Sequence, residues 1–350
     1  MKPLVSVVTP VYNEAEFLRE CIESVLAQTY ENWDYTIVDN RSTDRSAEIA
    51  AEYALRDSRI KLVKNQTFVS AIENHNNAFR EISPSSTYCK LLSGDDWLYP
   101  EFIAKSVEVA ERFPNVGVVA SYSVNTEFGF RWPGLDIGKT VFDGRDICRW
   151  FLLGLIDSFF APSVVLYRSS LVRAERHFFP GTAASADLSA CLNCLGKMDL
   201  GFVHQILSFE RIHKDSDTAQ VRKMNTYLLD RIPILKELAP RYLTPAEYSQ
   251  RLEEILTEYY EAVLVAGIFA FREKEFWRLH KKRLGQLDYP FYGARLFKGI
   301  VKKSLDLALN PKQTLEKVLK RTSKGCTQPK PGTANTLPTP HSLDENHSHI

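Results

Sequence analysis

Two adjacent carboxylates, Asp95 and Asp96, close the segment Ser93-Gly94-Asp95-Asp96, which directly follows an apolar run. Carboxylates on a turning backbone suit a hard divalent cation, and such an ion often keeps few protein ligands because it bridges to substrate phosphates. The same pair also fits a solvated turn, or a cap for the helix that Pro100 begins. Asp39 ends a second apolar run, Tyr35–Val38. A carboxylate there can accept hydrogen bonds from a ribose or a base edge, and can close an Asx turn through Asn40; both can hold together. Thr9 and Tyr12 follow a third run, Leu4–Thr9. The Tyr12 ring can stack on a base or stand exposed in its turn.

These groups meet only if the runs are neighbouring strands. Leu4–Thr9 is short and β-branched, the pattern of a strand buried on both faces. From Phe17 the apolar residues recur in pairs, Phe17/Leu18, Cys21/Ile22 and Val25/Leu26, which makes one helix face. Asn13 with Glu16 three residues on has the spacing of a capping box for that helix. Strands over Tyr35–Val38, Ile60–Val63, Tyr88–Leu92 and Val116–Ser121 then alternate with helices over Ser46–Arg56, Val69–Ile82 and from Pro100 to about Phe113. This order predicts an α/β fold, a doubly wound and mostly parallel sheet with helices on both faces. Ligands of such sheets sit outside the carboxyl ends of the strands, where Thr9, Tyr12, Asp39, Asp95 and Asp96 fall.

Farther on, Ser163–Tyr167 and Gly201–Val203 read as strands and Ala186–Gly196 as a helix, and the pattern is helical after about Thr218. Thr244-Pro245-Ala246-Glu247 is a capping box with proline near the helix start. Residues 1–217 are therefore expected to form the catalytic domain, 218–325 a helical extension, and 326–350, rich in Thr, Pro, Asn, Ser and His, a disordered tail.

Composition removes several classes. With 44 Lys+Arg against 43 Asp+Glu in 350 residues, no global field draws the chain to nucleic acid. Six cysteines are too few for a disulfide scaffold. Cys191-x-x-Cys194 has no second pair to complete a zinc site and sits in a helical pattern, so core packing is expected. The opening apolar run breaks at Pro10, and Ala262–Phe271 is about half the roughly 20 residues a spanning helix needs, so a cytoplasmic protein is expected. Neither G-x-G-x-x-G nor G-x-x-x-x-G-K-[ST] occurs, which weakens dehydrogenase and P-loop assignments.

The stretch Val5–Ser46, through P-V-Y-N-E, S-V-L-A-Q-T-Y and V-D-N-x-S-T-D, resembles the opening of the family 2 inverting glycosyltransferases, and Lys90–Pro100 resembles their metal loop. The resemblance covers about Leu4–Asp217 and implies a GT-A fold and a nucleotide-sugar donor. Residues matching Thr9, Tyr12 and Asp39 would line the nucleotide pocket. The D-x-D element falls on Ser93-Gly94-Asp95, so Asp95 would ligate Mg2+ or Mn2+, Asp96 would support the loop or share the metal, and Ser93 would reach a ribose oxygen. The general base comes from an E-D pair opening a later helix; here Asp187 fits, with Ala186 where the Glu is expected. Its other reading is charge stabilisation of a helix N-terminus. Arg211 and His213 match a segment that reaches the diphosphate, and His213 could also meet the metal.

The expected function is transfer of a sugar, with inversion, from a nucleoside-diphosphate sugar to a hydroxyl of a glycan or lipid-linked glycan. The alternative is a non-catalytic sugar-nucleotide binder or assembly partner on the same fold, which Ser93 and Ala186 favour. Tyr289–Leu309 mixes aromatic, aliphatic and basic residues at helical spacing. It suits peripheral contact with an anionic membrane at the inner face, or a solvated face covering the catalytic domain.

Overall fold

A computed structural model describes residues 2–127, 129, 130, 132–157, 160–181, 185–213, 219, 221, 224–269 and 273–289, without the side chains of 264–269. The chain divides into two compact units, Met1–Gly299 and Ile300–Ile350. The described residues all belong to the first. The tail expected to be disordered from 326, and the basic stretch after Tyr289, lie outside them.

The first strand, β1 (Val5–Val11), is buried along its whole length. Its side chains alternate between two cores: Val5, Val7 and Val11 join one apolar cluster and Val8 the other. Such burial requires pairing on both sides. β2 (Trp33–Asp39) lies parallel on one side, Val5 opposite Trp33 and Val11 opposite Asp39. β4 (Tyr88–Leu91) lies parallel on the other, Val5 opposite Tyr88. β3 (Ile60–Lys64) extends the sheet parallel to β2. The connections are α1 (Leu18–Leu26), α2 (Ser46–Arg56) and α3 (Ala71–Arg80).

Beyond β4 the direction changes. After β5 (Trp97–Leu98) and α4 (Phe102–Arg112), β6 (Val116–Asn125) continues through β7 (Gly129–Phe130) and β8 (Val141–Phe142) to α5 (Gly144–Leu153). β9 (Val165–Arg168) then returns between β4 and β6, antiparallel to both. After α6 (Ser169–Arg173) and α7 (Ala186–Leu195), β10 (Asp199–Glu210) runs parallel to β6. The order is β3-β2-β1-β4-β9-β6-β10-β5. The sheet is thus parallel around β1 and mixed beyond β4. Apolar periodicity marks β9 as a strand but carries no information on its direction.

Helices α1, α2 and α4 pack on one face over Ile22, Val25, Ile49, Phe102 and Ile103. The other face is covered by α3, α5 and α7. The same core takes in α8 (Tyr227–Tyr242), α9 (Pro245–Phe269) and α10 (Lys274–Gln286) through Leu229, Leu235, Tyr259 and Leu284. The capping box at α9 is formed: Thr244 N and Oγ1 donate to Glu247 Oε2 at 2.8 and 2.9 Å, and Glu247 N donates back to Thr244 Oγ1 at 3.3 Å. Glu247 also pairs with Arg149 of α5, which holds its carboxyl down at about 2. Cys191 and Cys194 are buried, unbridged members of the core. Among the described residues no helix is long and apolar enough to cross a membrane.

One expected cap is not formed. Asn13 does not cap α1, which starts at Leu18 without a side-chain cap. Asn13 adopts a left-handed backbone (φ 57°), and its Oδ1 accepts from Thr43 N at 2.8 Å. The loop after β1 answers: Asn13 N donates to Ser42 Oγ and Glu14 N to Ser46 Oγ. Spacing within one segment could not reveal that its partner is the neighbouring strand's loop.

Candidate functional site

The strand ends converge on a cleft of about 580 Å³, a size typical of small-molecule sites. Tyr12, Asn40 and Phe68 line it from the segments after β1, β2 and β3; Ser93, Gly94, Asp95 and Asp96 come from the loop after β4. Asp187 joins from α7, and Glu210, Arg211 and His213 from the end of β10.

The acidic loop is a tight turn held from below. Asp96 N donates to the Ser93 carbonyl at 3.1 Å. The Cys21 thiol donates to that carbonyl at 3.4 Å, and Ser93 N donates to Ser163 Oγ at 3.2 Å. Gly94 sits close to the Glu14 side chain, where a Cβ would lie 3.1 Å from Glu14 Cγ. Asp95 Oδ2 lies 3.1 Å from His213 Nε2, and burial pushes its carboxyl above the ordinary range. Asp96 accepts from Arg211 N at 2.7 Å. Burial, then the charges of Asp95 and Glu210, push Asp96 well above the usual carboxylate range.

Arg211 is tied into this arrangement. Its Nε donates to the Asp95 carbonyl at 3.0 Å, its guanidinium pairs with Glu20, and it lies 4.5 Å from the centre of the Phe17 ring. The His213 ring stands 5.2 Å from the same phenylalanine. Asp187 lies in the first turn of α7, where Oδ1 accepts from Leu188 N at 2.7 Å. Ala186 beside it points into the core at 2% exposure, so a glutamate there would have to bury its charge.

Among the described residues no three His, Cys, Asp or Glu side chains form a closed metal cage. An ion shared with a diphosphate needs only one or two protein ligands. Asp95 and His213 offer that donor set at the cleft wall, and the crowded negative charge of Asp95, Asp96 and Glu210 favours a cation beside them.

Two sequence candidates do not reach the cleft. Thr9 lies inside β1, fully buried, with its hydroxyl 2.8 Å from Tyr35 OH. Asp39 is 3% exposed, and both its oxygens accept from Ser42 N at 3.3 Å, which is the Asx turn. Its neighbour Asn40 lines the cleft instead, fixed by Val69 N and O and by Asn65. Trp97 packs away from the cleft on Phe209, rings 4.9 Å apart.

Sequence reasoning missed Phe68, whose exposed ring lies 4.9 Å from that of Tyr12. It also missed Lys90, a charge inside an otherwise apolar strand, and that irregularity was the available signal. Ser163 and Glu210 carried no local signal.

Residues 6–174 match the model of glycosyl transferase family 2. The uncharacterized glycosyltransferase EpsJ of Bacillus subtilis is 37% identical over 114 residues, 32% of either chain. The chain spans about a third to a half of the length of the first curated relatives it matches. Among solved structures, S. aureus TarS 1–349 with UDP-GlcNAc superposes with a TM-score of 0.57 at 17% identity, covering 78% of this chain and 76% of that one. The mannosyltransferase PcManGT of Pyrobaculum calidifontis, solved with GDP-Man and Mn2+, gives 0.57 at 14% identity over 93% and 86%. These likenesses establish the GT-A fold.

Proposed function

We propose, from the match of residues 6–174 to the model of glycosyl transferase family 2, that this chain is a member of that family and moves a sugar, with inversion, from a nucleoside-diphosphate donor to an acceptor hydroxyl. The observation that carries this is the meeting of Asp95, Asp187, Arg211 and His213, from three separate elements, on one cleft that also presents Tyr12. TarS and PcManGT, solved with UDP-GlcNAc and with GDP-Man and Mn2+, support the donor class. We take residues 1–217 as the catalytic domain and 218–325 as an extension, of which Tyr227 on α8 lies on the cleft wall.

Tyr12 and Phe68 present aromatic faces at the nucleoside end. Asp95 and His213 would hold Mg2+ or Mn2+. Such an ion would supply positive charge opposite the leaving group's growing negative charge. Arg211, fixed by Glu20 and the Asp95 carbonyl, adds a second positive charge that needs no reorganisation. Asp187 takes the acceptor's proton as its oxygen bonds the anomeric carbon and the bond to the diphosphate breaks. Trp132, Pro133 and Tyr227 line the cleft with flat faces on which an acceptor sugar can stack.

The test is a thermal-shift screen of the full chain with UDP-, GDP- and dTDP-sugars and Mn2+, followed by NMR of the product's anomeric centre. Ligand-linked stabilisation and an inverted product are expected. Asp187→Asn should lower transfer by about 10²–10⁴-fold while the donor still stabilises the fold. Tight nucleotide binding with no turnover of donor or acceptor would instead make the chain a binder.

A further inference from the structure

Lys90 lies on β4 with none of its surface exposed. An ammonium there is costly unless its protons are taken up. Its Nζ donates to the Pro162 carbonyl at 2.7 Å and the Val165 carbonyl at 3.1 Å, and it lies 4.6 Å from the centre of the Phe102 ring. Those two carbonyls bracket Ser163: Pro162 opens the 3-10 turn Pro162–Val164 that holds it, and Val165 begins β9 just after that turn. Ser163 is also fully buried. Its hydroxyl accepts from Ser93 N at 3.2 Å. The Lys90 nitrogen ties the turn, the turn aims the hydroxyl, and the hydroxyl holds the acidic loop at Ser93.

We propose that Lys90 and Ser163 are positioning residues of this loop, setting Asp95 against His213 at the separation a divalent cation shared with a nucleoside diphosphate needs. This rests on the transferase function proposed above. Neither residue is placed in contact with the cation or the sugar. A leucine at position 90 would fill a comparable volume without the desolvation cost, as Leu91 and Leu92 do beside it. What the lysine adds is a fixed separation between two carbonyls. The other ties on the loop differ in kind. The Cys21 thiol is a weak donor to the Ser93 carbonyl, and Arg211 N reaches Asp96 from the cleft side. Ser163 is the buried hydroxyl that takes the loop's first amide, that of Ser93, from below.

The experiment is a titration of the full-length chain with Mn2+, with UDP and separately with GDP, reading the free ion by electron paramagnetic resonance. Wild type, Ser163→Ala and Lys90→Met are compared, with melting temperatures of the metal-free samples. Outer-sphere partners of a metal site set affinity by about 10–100-fold. Ser163→Ala should therefore weaken Mn2+ binding by at least about tenfold while its metal-free melting temperature stays within about 5 °C of wild type. Lys90→Met should weaken it at least as much; should that variant not fold, Ser163→Ala decides alone. Unchanged Mn2+ affinity in folded Ser163→Ala, whatever its melting temperature, overturns the proposal and leaves the transferase function standing. A wild-type chain that binds no Mn2+ with either nucleotide overturns the metal assignment of that function, and this proposal with it.

Discussion

After β2, the carboxylate of Asp39 folds back onto its own loop and takes the Ser42 amide on both oxygens. After β4, Asp95 and Asp96 stand in a buried loop near Glu210, and both are pushed toward their neutral forms. Both loops end parallel strands at the same edge of the sheet. The first accepts a single amide from three residues away, which closes a turn. The second is desolvated, with Asp96 beside the charges of Asp95 and Glu210, so a cation there would favour the ionised forms. Position at a strand end makes an acid a candidate; burial and neighbouring charge bear on its use.

The largest effect should come from breaking the crowded loop. Asp95→Asn removes the charge and keeps the shape, and should lower transfer by about 10²–10³-fold with an unchanged melting temperature. Transfer by this variant at near the wild-type rate would put the two loops on the same footing.

A buried titratable group outside both loops gives the next effect and shows what full satisfaction looks like. Tyr259 OH donates to His280 Nδ1 at 2.8 Å, and His280 Nε2 donates to the Met224 carbonyl at 2.8 Å. Burial holds its pKa down at about 4. The unfolded chain takes up this proton near its ordinary value of about 6.5, but the folded chain waits until about 4. The contribution is whole above pH 6.5 and is lost as the pH falls from there to about 4, by about 3 kcal/mol. Melts of wild type and His280→Gln at pH 7.5 and 4.5 check this: the variant should lose less stability on acidification.

The smallest effect belongs to Asp39. Asp39→Ala removes the acceptor of its turn and should cost about 1 kcal/mol; Asp39→Asn keeps an oxygen and should cost less. Donor KM should stay within about threefold in Asp39→Asn, below the roughly 1.4 kcal/mol of a tenfold change. A tenfold rise in KM with an intact fold would move Asp39 from the turn to the nucleoside.

Much of this could be read from the chain itself. The run Leu4–Thr9, the paired apolar spacing of α1 and the Thr244–Glu247 box are local patterns that marked a strand, a helix and a cap, although β1 itself pairs with the distant β2 and β4. Tyr12 and Asp95 were picked out by type and by place relative to expected strands, Asp187, Arg211 and His213 by resemblance to the family's motifs, and all five share a cleft. Asn13 misled because its hydrogen-bond partners, Thr43 and Asp44, are some thirty residues away. Thr9 misled because β1 runs two residues farther than expected, to Val11, which leaves its hydroxyl facing Tyr35 in the core.

By itself the sequence determined which segments are strands and helices and which acids end them, since apolar periodicity and turn chemistry act over a few residues. Only the tertiary structure decided that β9 enters antiparallel between β4 and β6, bringing Ser163 beneath the acidic loop and two carbonyls onto Lys90. Strand direction and the pairing of distant polar atoms are set by how the whole core closes, and no local pattern encodes them.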